Sequence, residues 1–177
     1  MVNTIIPPER NKKVLFTGGA MLESQRKLYE KRGYEIITTD PHFGKDQAKL
    51  IEALNGVDAY ILAGEEKAEE GVIRAATDLK VISFFGAGYE MYINVKAATE
   101  AGIPVTYTPG ANSLSVAEFT IGLILDLVKR ITFLNENTRN GGWQEHRVWN
   151  LHGRTLGIIG LGNVGSKVAE IARNGFK

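Results

Sequence analysis

Hydrophobic positions between residues 12 and 109 fall in short runs. Each run is closed by glycine or proline and followed by a stretch of helical spacing. Residues 12–19 (KKVLFTGG) predict a strand running into a glycine turn. Residues 22–31, with Leu22, Arg26, Leu28 and Tyr29 at helical intervals, predict a helix stopped by Gly33. The pattern continues with a strand over 34–39 closed by Asp40-Pro41, a helix over 46–54 ended by Asn55-Gly56, and a strand over 59–64. A helix over 69–76, a strand over 80–86, a short helix over 95–100 and a strand over 104–108 complete it, after a loose lead-in over 1–11. Short apolar strands alternating with amphipathic helices predict an α/β chain with a parallel sheet and helices on both of its faces. Right-handed crossovers then make 12–109 a flavodoxin-like doubly wound domain. Ligands in such sheets sit beyond the carboxyl ends of the strands. Here that rim is formed by Gly18-Gly19, Ala63-Gly64 and Gly86-Ala87-Gly88.

The pattern changes in kind after residue 110. Residues 113–138 predict one long helix, with Ser115 and Glu118 at capping-box spacing near its start. Ile121, Leu123, Ile124, Leu125, Leu127, Val128, Ile131, Phe133 and Leu134 cover more than one of its faces, which predicts burial between two bodies. Asn140-Gly141-Gly142 ends it. Residues 143–152 carry both tryptophans and show no clear period. Two readings stay open there: an arm packing on a partner subunit, or intramolecular packing of both rings. Residues 155–169 (TLGIIGLGNVGSKVA) then predict a short buried strand, a glycine turn and the start of a helix. Gly160, Gly162 and Gly165 have the G-x-G-x-x-G spacing of a dinucleotide-binding turn. In such a turn the first glycine permits a tight bend and the second lets the backbone approach a pyrophosphate. The third lets helix and strand pack closely, with free N–H groups of the helix facing the anion.

Composition removes several classes. With 44% hydrophobic and 23% charged residues, the 177-residue chain is that of an ordinary soluble globular protein. A formal net charge of +1 and the lack of a Lys/Arg block give no support to a nucleic-acid surface. No apolar run approaches the ~18 residues of a membrane span, and the first residues (MVNTIIPP) lack the pattern of a secretory signal. A cytoplasmic location is therefore expected. The absence of cysteine excludes disulfides, thiolate catalysis and cysteine-ligated metal. Glu65, Glu66, Lys67, Glu69 and Glu70 read as a solvated helix start rather than a metal site. His42, His146 and His152 are scattered and read as surface or packing residues.

Four stretches together resemble the D-isomer-specific 2-hydroxyacid dehydrogenases: 79–89 (LKVISFFGAGY), 97–104 (AATEAGIP), 108–118 (TPGANSLSVAE) and 155–165 (TLGIIGLGNVG). The motif PGAN-x-x-SVAE, opening a long helix some forty residues before the glycine turn, is more specific than the glycines alone. The resemblance implies a substrate domain over residues 1–109. Residues 110–177 would hold an interdomain helix, a dimerisation arm and the start of an NAD-binding Rossmann domain. It further implies that the backbone amides of Ala87 and Gly88 hold the substrate carboxylate and that Asn112 lies by nicotinamide and substrate. Gly160, Gly162, Asn163, Val164 and Gly165 would form the cofactor turn, with the amides of Asn163 and Val164 on the pyrophosphate. The implied cofactor is NAD or NADP, the substrate a small 2-hydroxy or 2-oxo acid, and the assembly a homodimer through residues 113–152.

Departures from the family pattern shape the expectation. The family's proton-transfer histidine, its paired carboxylate, its substrate-orienting arginine and the acid that selects NAD all come from segments that would lie beyond Lys177. Where phosphoglycerate-using members carry Arg-Ser after the third strand, this chain has Ala63-Gly64, and the spacing between Gly88 and Ala97 is one residue longer than usual. The expected activity is hydride transfer between a nicotinamide and C2 of the acid, with the 177-residue chain inactive or nearly so by itself. Two alternatives have other characters: a non-enzymatic domain dimerising through the long helix and arm, and a flavodoxin-like receiver or flavin binder.

Overall fold

A computed structural model describes residues 11–19, 21–39 and 46–177. The chain divides into two compact units, residues 1–109 and 110–177.

The first unit is built on five strands: β1 (Lys12–Phe16), β2 (Tyr34–Thr38), β3 (Ala59–Leu62), β4 (Val81–Phe84) and β5 (Val105–Thr106). They pair in the order β2-β1-β3-β4-β5, and every pairing is parallel. This is the doubly wound order that the strand–helix alternation predicts. The register carries one row of side chains across the whole sheet: Ile37, Leu15, Tyr60, Ile82 and Val105. Against this row pack Leu50 and Leu54 from the end of helix α2 (Gln47–Ala53), Val72 and Ile73 from α3 (Glu70–Ala75), and Ala97 and Ala98 from α4 (Val95–Glu100). The remaining helix, α1 (Glu23–Glu30), has no buried residue. The uneven cover follows from topology. The step from β1 to β2 runs one way along the sheet and the steps to β3, β4 and β5 run the other way. Right-handed crossovers therefore put α1 on the face opposite α2–α4. Within this unit that second face is only half covered, and Ala59, Ile61, Val81 and Ser83 on it are partly exposed.

Local chemistry sets the helix ends. The Asp46 side chain caps α2 by accepting the N–H groups of Ala48 at 3.0 Å and Lys49 at 3.4 Å. Asn94 caps α4 through the Ala97 N–H at 3.0 Å. Asp40-Pro41 and His42 lie outside the described residues.

The second unit holds α5 (Ser113–Lys129), α6 (Ile131–Arg139) and α7 (Asn163–Phe176). Its core is the α5–α7 contact: Ala117, Ile121 and Val168, flanked by Ile124, Leu125, Val164, Ile171, Ala172 and Phe176. Three expectations are corrected here. The single helix over 113–138 is broken at Arg130, whose φ of 54° is left-handed. Asp126 holds the break, accepting the Thr132 N–H at 2.6 Å and its hydroxyl at 2.8 Å, so a side chain replaces the helical carbonyl. Ser115 is not the capping residue: α5 begins two residues earlier, with Asn112 at its N-cap and no side-chain cap bond. The stretch before the glycine turn forms no strand. Residues 154–161 run without ladder pairing, Ile159 is fully exposed and Leu161 largely so. A strand is stable only against a neighbouring strand, and this unit supplies none among its described residues.

Residues 143–152 are irregular and follow α5 and α6. The Trp149 N–H donates to the Val128 carbonyl at 3.0 Å, and Lys129 donates to the Asn150 side chain at 2.7 Å. His146 meets the Phe133 ring edge-on, while Trp143 is 92% exposed. No helix among the described residues is long and apolar enough to cross a membrane.

Candidate functional sites

At the carboxyl rim of the sheet, β4 ends at Phe84 and the chain turns through Phe85, Gly86, Ala87 and Gly88 into a 3-10 turn at Tyr89–Met91. Phe84 is buried and stacks on Tyr92 at 5.2 Å. A Cβ on Gly86 would stand 2.7 Å from that Phe84 ring, so only glycine fits. The turn is tied on both sides. The Phe85 N–H donates to the Leu62 carbonyl of β3 at 2.8 Å. The Gly86 carbonyl accepts both the N–H of Thr108 at 3.0 Å and its hydroxyl at 3.1 Å. Ala87 and Gly88 are exposed, and neither amide donates to a backbone carbonyl among the described residues. Exposed backbone N–H groups without an internal acceptor are available to an anionic ligand.

The neighbouring rim is held by a polar network that the sequence reading missed. The Thr17 hydroxyl donates to the Ile61 carbonyl at 3.3 Å and accepts the Ala63 N–H at 3.3 Å. Glu66, expected on a solvated helix start, is only 3% exposed. Its carboxylate accepts the Tyr60 hydroxyl at 2.9 Å. Burial first and the Glu66 carboxylate second push the Tyr60 phenol far above its ordinary range, so it remains the donor. One signal was present in the chain: Tyr60 and Glu66 flank the β3 end, and Gly64 leaves room there, since a Cβ on Gly64 would collide with the Glu66 carboxylate.

The second site lies at the start of α7. Gly160 has φ 89°, and a Cβ on Gly165 would run into the Gly160 carbonyl. The third glycine of the motif thus permits the close approach of turn and helix. Gly162 is the N-cap of α7, and a Cβ there would meet nothing within 4 Å, which leaves the mouth of the turn open. Behind it the Ser166 N–H and hydroxyl both donate to the Gly162 carbonyl, at 2.9 and 2.8 Å. The first turn of α7 carries no acidic residue. The amides of Asn163, Val164 and Gly165 are the N–H groups that a helix start leaves without intrahelical partners. The PGAN turn reaches the same place. Gly110, at φ 74°, lies against the Asn163 side chain, whose Nδ2 would be 3.3 Å from a Cβ at that position. Asn112 is exposed beside it, at the N-cap of α5 without using its side chain there. The structure therefore brings the Asn112 turn and the glycine turn together within one unit. The amides of Ala87 and Gly88 belong to the other unit.

Neither His146 nor His152 belongs to these turns. No group of three or more His, Cys, Asp or Glu residues among the described residues is arranged to hold a metal ion.

Residues 14–171 match the profile of the D-isomer specific 2-hydroxyacid dehydrogenase catalytic domain, and the chain belongs to that family. It is 36% identical over 153 residues to the D-3-phosphoglycerate dehydrogenase of Methanocaldococcus jannaschii, covering 85% of this chain and 28% of the relative. A solved Thermus thermophilus structure superposes with a TM-score of 0.84 at 29% identity, covering 92% of this chain and 53% of that one. The 3-phosphoglycerate dehydrogenase of Entamoeba histolytica, solved with NAD+ bound, gives 0.74 at 30% identity, covering 93% and 51%. The chain thus spans about half the length of the solved relatives and a smaller share of the curated one.

Proposed function

We propose that this chain supplies two of the binding turns of an NAD(P)-dependent 2-hydroxyacid dehydrogenase, which moves hydride between the nicotinamide and C2 of a small 2-hydroxy or 2-oxo acid. The observation that carries the reading is the α7 start, where Gly165 closes on Gly160 while Gly162 stays open at the N-cap of the helix. These residues fit a pyrophosphate: the turn over Gly160 and Gly162 would leave room for it, and the amides of Asn163, Val164 and Gly165 would donate to it. NAD or NADP, when bound, supplies the hydride acceptor or donor. In the first unit the Ala87 and Gly88 amides would hold the acid by its carboxylate, and in the second the Asn112 side chain would serve the nicotinamide end. Ala63-Gly64 at the β3 end offers no cation for a phosphate, which favours an unphosphorylated acid.

Turnover also requires a group to exchange the hydroxyl proton and one to polarise the carbonyl. The two turns contain neither, so they account for binding and not for the proton exchange that turnover requires. Binding is the direct test. In the 15N-labelled chain, NADH is expected to shift the amides of Asn163, Val164 and Gly165, and pyruvate those of Ala87 and Gly88. Shifts confined to other residues would refute the assignment.

A second reading, a dimerising domain without catalysis of its own, is favoured by one observation. Phe119, Leu123, Leu127 and Ile131 on α5–α6 and Trp143 beyond them are all exposed, Leu127 by 79%. Apolar surface of this kind marks a contact, and we assign it to a homodimer through residues 113–152. Sedimentation showing a monomer at all concentrations would exclude the dimer; a dimer lacking NADH binding would favour the second reading over the first.

A further inference from the structure

We propose that Thr108 is a positioning residue that sets the direction of the Ala87 amide. The proposal rests on the reading of that amide as a carboxylate donor and adds a residue to it. The steric demand of the Phe84 ring forces glycine at position 86. Glycine leaves the Gly86–Ala87 peptide plane easy to rotate, because no Cβ restricts its ψ. A turn so built does not hold a donor in place unaided.

Thr108 supplies the restraint. The β4–β5 register ends at Ser83↔Thr106. Two residues on, Thr108 reaches past the end of the ladder and gives both its N–H, at 3.0 Å, and its hydroxyl, at 3.1 Å, to the Gly86 carbonyl. In a planar trans peptide the carbonyl and the following N–H point in opposite directions. Fixing the Gly86 carbonyl toward β5 therefore aims the Ala87 N–H away from β5, toward the side where β3 ends. The neighbouring Tyr107 ring rests on Tyr89 with centroids 4.6 Å apart, a second tie between the same two segments. Thr108 itself is exposed, so its hydroxyl could as well have been left to water.

The test uses the full 177-residue chain, 15N-labelled, as wild type, Thr108→Val and Thr108→Ser. Two quantities are read: the residual dipolar coupling of the Ala87 N–H without ligand, and the pyruvate affinity from the Ala87 and Gly88 shifts. Thr108→Val keeps the backbone donor and loses the hydroxyl. With the backbone bond still in place, the coupling is expected to shrink as the peptide plane loosens without reversing, and pyruvate affinity to fall by up to about five- to tenfold, the most that losing one restraining hydrogen bond can cost. Thr108→Ser restores both, and the melting temperature and the NADH response stay unchanged in each variant. A wild-type coupling in Thr108→Val would overturn the proposal. If pyruvate shifts neither amide in the wild type, the carboxylate reading fails, and the ligand-free coupling still decides whether Thr108 sets the amide.

Discussion

Replacing Tyr60 by Phe removes the phenol that the buried Glu66 carboxylate accepts. Both ends of that bond are buried, Tyr60 fully and Glu66 to all but 3%. Phenylalanine keeps the ring, so no cavity opens and the loss is confined to the hydroxyl. A hydrogen bond to a charged group is worth about 1.5–3 kcal/mol, and the carboxylate left behind has no water to replace it. The expected loss is therefore about 2–3 kcal/mol. At about 4–8 °C per kcal/mol for a unit of this size, that is roughly 8–24 °C in melting temperature. Both tryptophans lie beyond residue 140, so the first unit is followed by far-UV circular dichroism and by amide exchange of Leu15, Leu62 and Ile82 rather than by fluorescence. Glu66→Gln keeps an acceptor and removes the charge. In that background the added effect of Tyr60→Phe is expected to drop to about 1 kcal/mol, giving a coupling of at least about 1 kcal/mol. A loss below about 0.5 kcal/mol, or the same loss in both backgrounds, would refute the idea that the buried carboxylate is held by this phenol.

The other predictions concern the second unit. Gly165→Ala places a methyl against the Gly160 carbonyl, backbone that cannot rotate away; it is expected to lower stability by about 1–3 kcal/mol and abolish the NADH shifts at the α7 start. Gly162→Ala meets nothing within 4 Å, so stability should stay within about 0.5 kcal/mol of wild type while the NADH shifts weaken, a contrast that tryptophan-fluorescence melts and titrations read together. The Asp126 carboxyl is held below its ordinary range, chiefly by the N–H and then the hydroxyl of Thr132. Its contribution is thus present above the usual Asp pKa and lost as pH falls through the lowered one. The α5–α6 junction should therefore fray only in strong acid, a step in the α6 amide shifts that Asp126→Ala removes because the junction is already frayed at neutral pH.

How much of this was legible depended on whether the determinant was local. The strand order followed from short apolar runs and the handedness of crossovers, since each run needs only its own residues to be recognised. The glycine spacing at 160–165 was legible for the same reason, because the steric demand of a Gly165 Cβ on Gly160 lies within a few residues. Burial of Glu66 was not legible. The charge run around it looks solvated, and only the fold carries a phenol from mid-strand to its side. The unformed strand at 155–159 failed in the opposite way, because its apolar pattern is genuine but pairing is a property of the neighbour. Arg130 was missed because a left-handed arginine has no sequence signature, and its support, Asp126 with Thr132, is an ordinary polar pair until the helix breaks there.

Both candidate sites present main-chain N–H groups, and this governs where substitutions can act. Changing the side chain of Ala87, Asn163 or Val164 leaves the donor in place, so such changes shift affinity only through bulk. The residues that decide affinity are those that fix a peptide plane or allow two backbones to touch. At the nucleotide turn these are glycines, visible in sequence because a missing side chain is itself the signal. At the rim of the sheet, glycine at 86 is forced by Phe84 and works against rigidity, so the restraint must come from elsewhere in the chain. Thr108 lies twenty-two residues away and inside the TPGAN motif. Thr108 belongs to the first unit and Gly110 to the second, so within one short motif Thr108 restrains the turn proposed for the carboxylate while Gly110 lies against Asn163 of the turn proposed for the nucleotide.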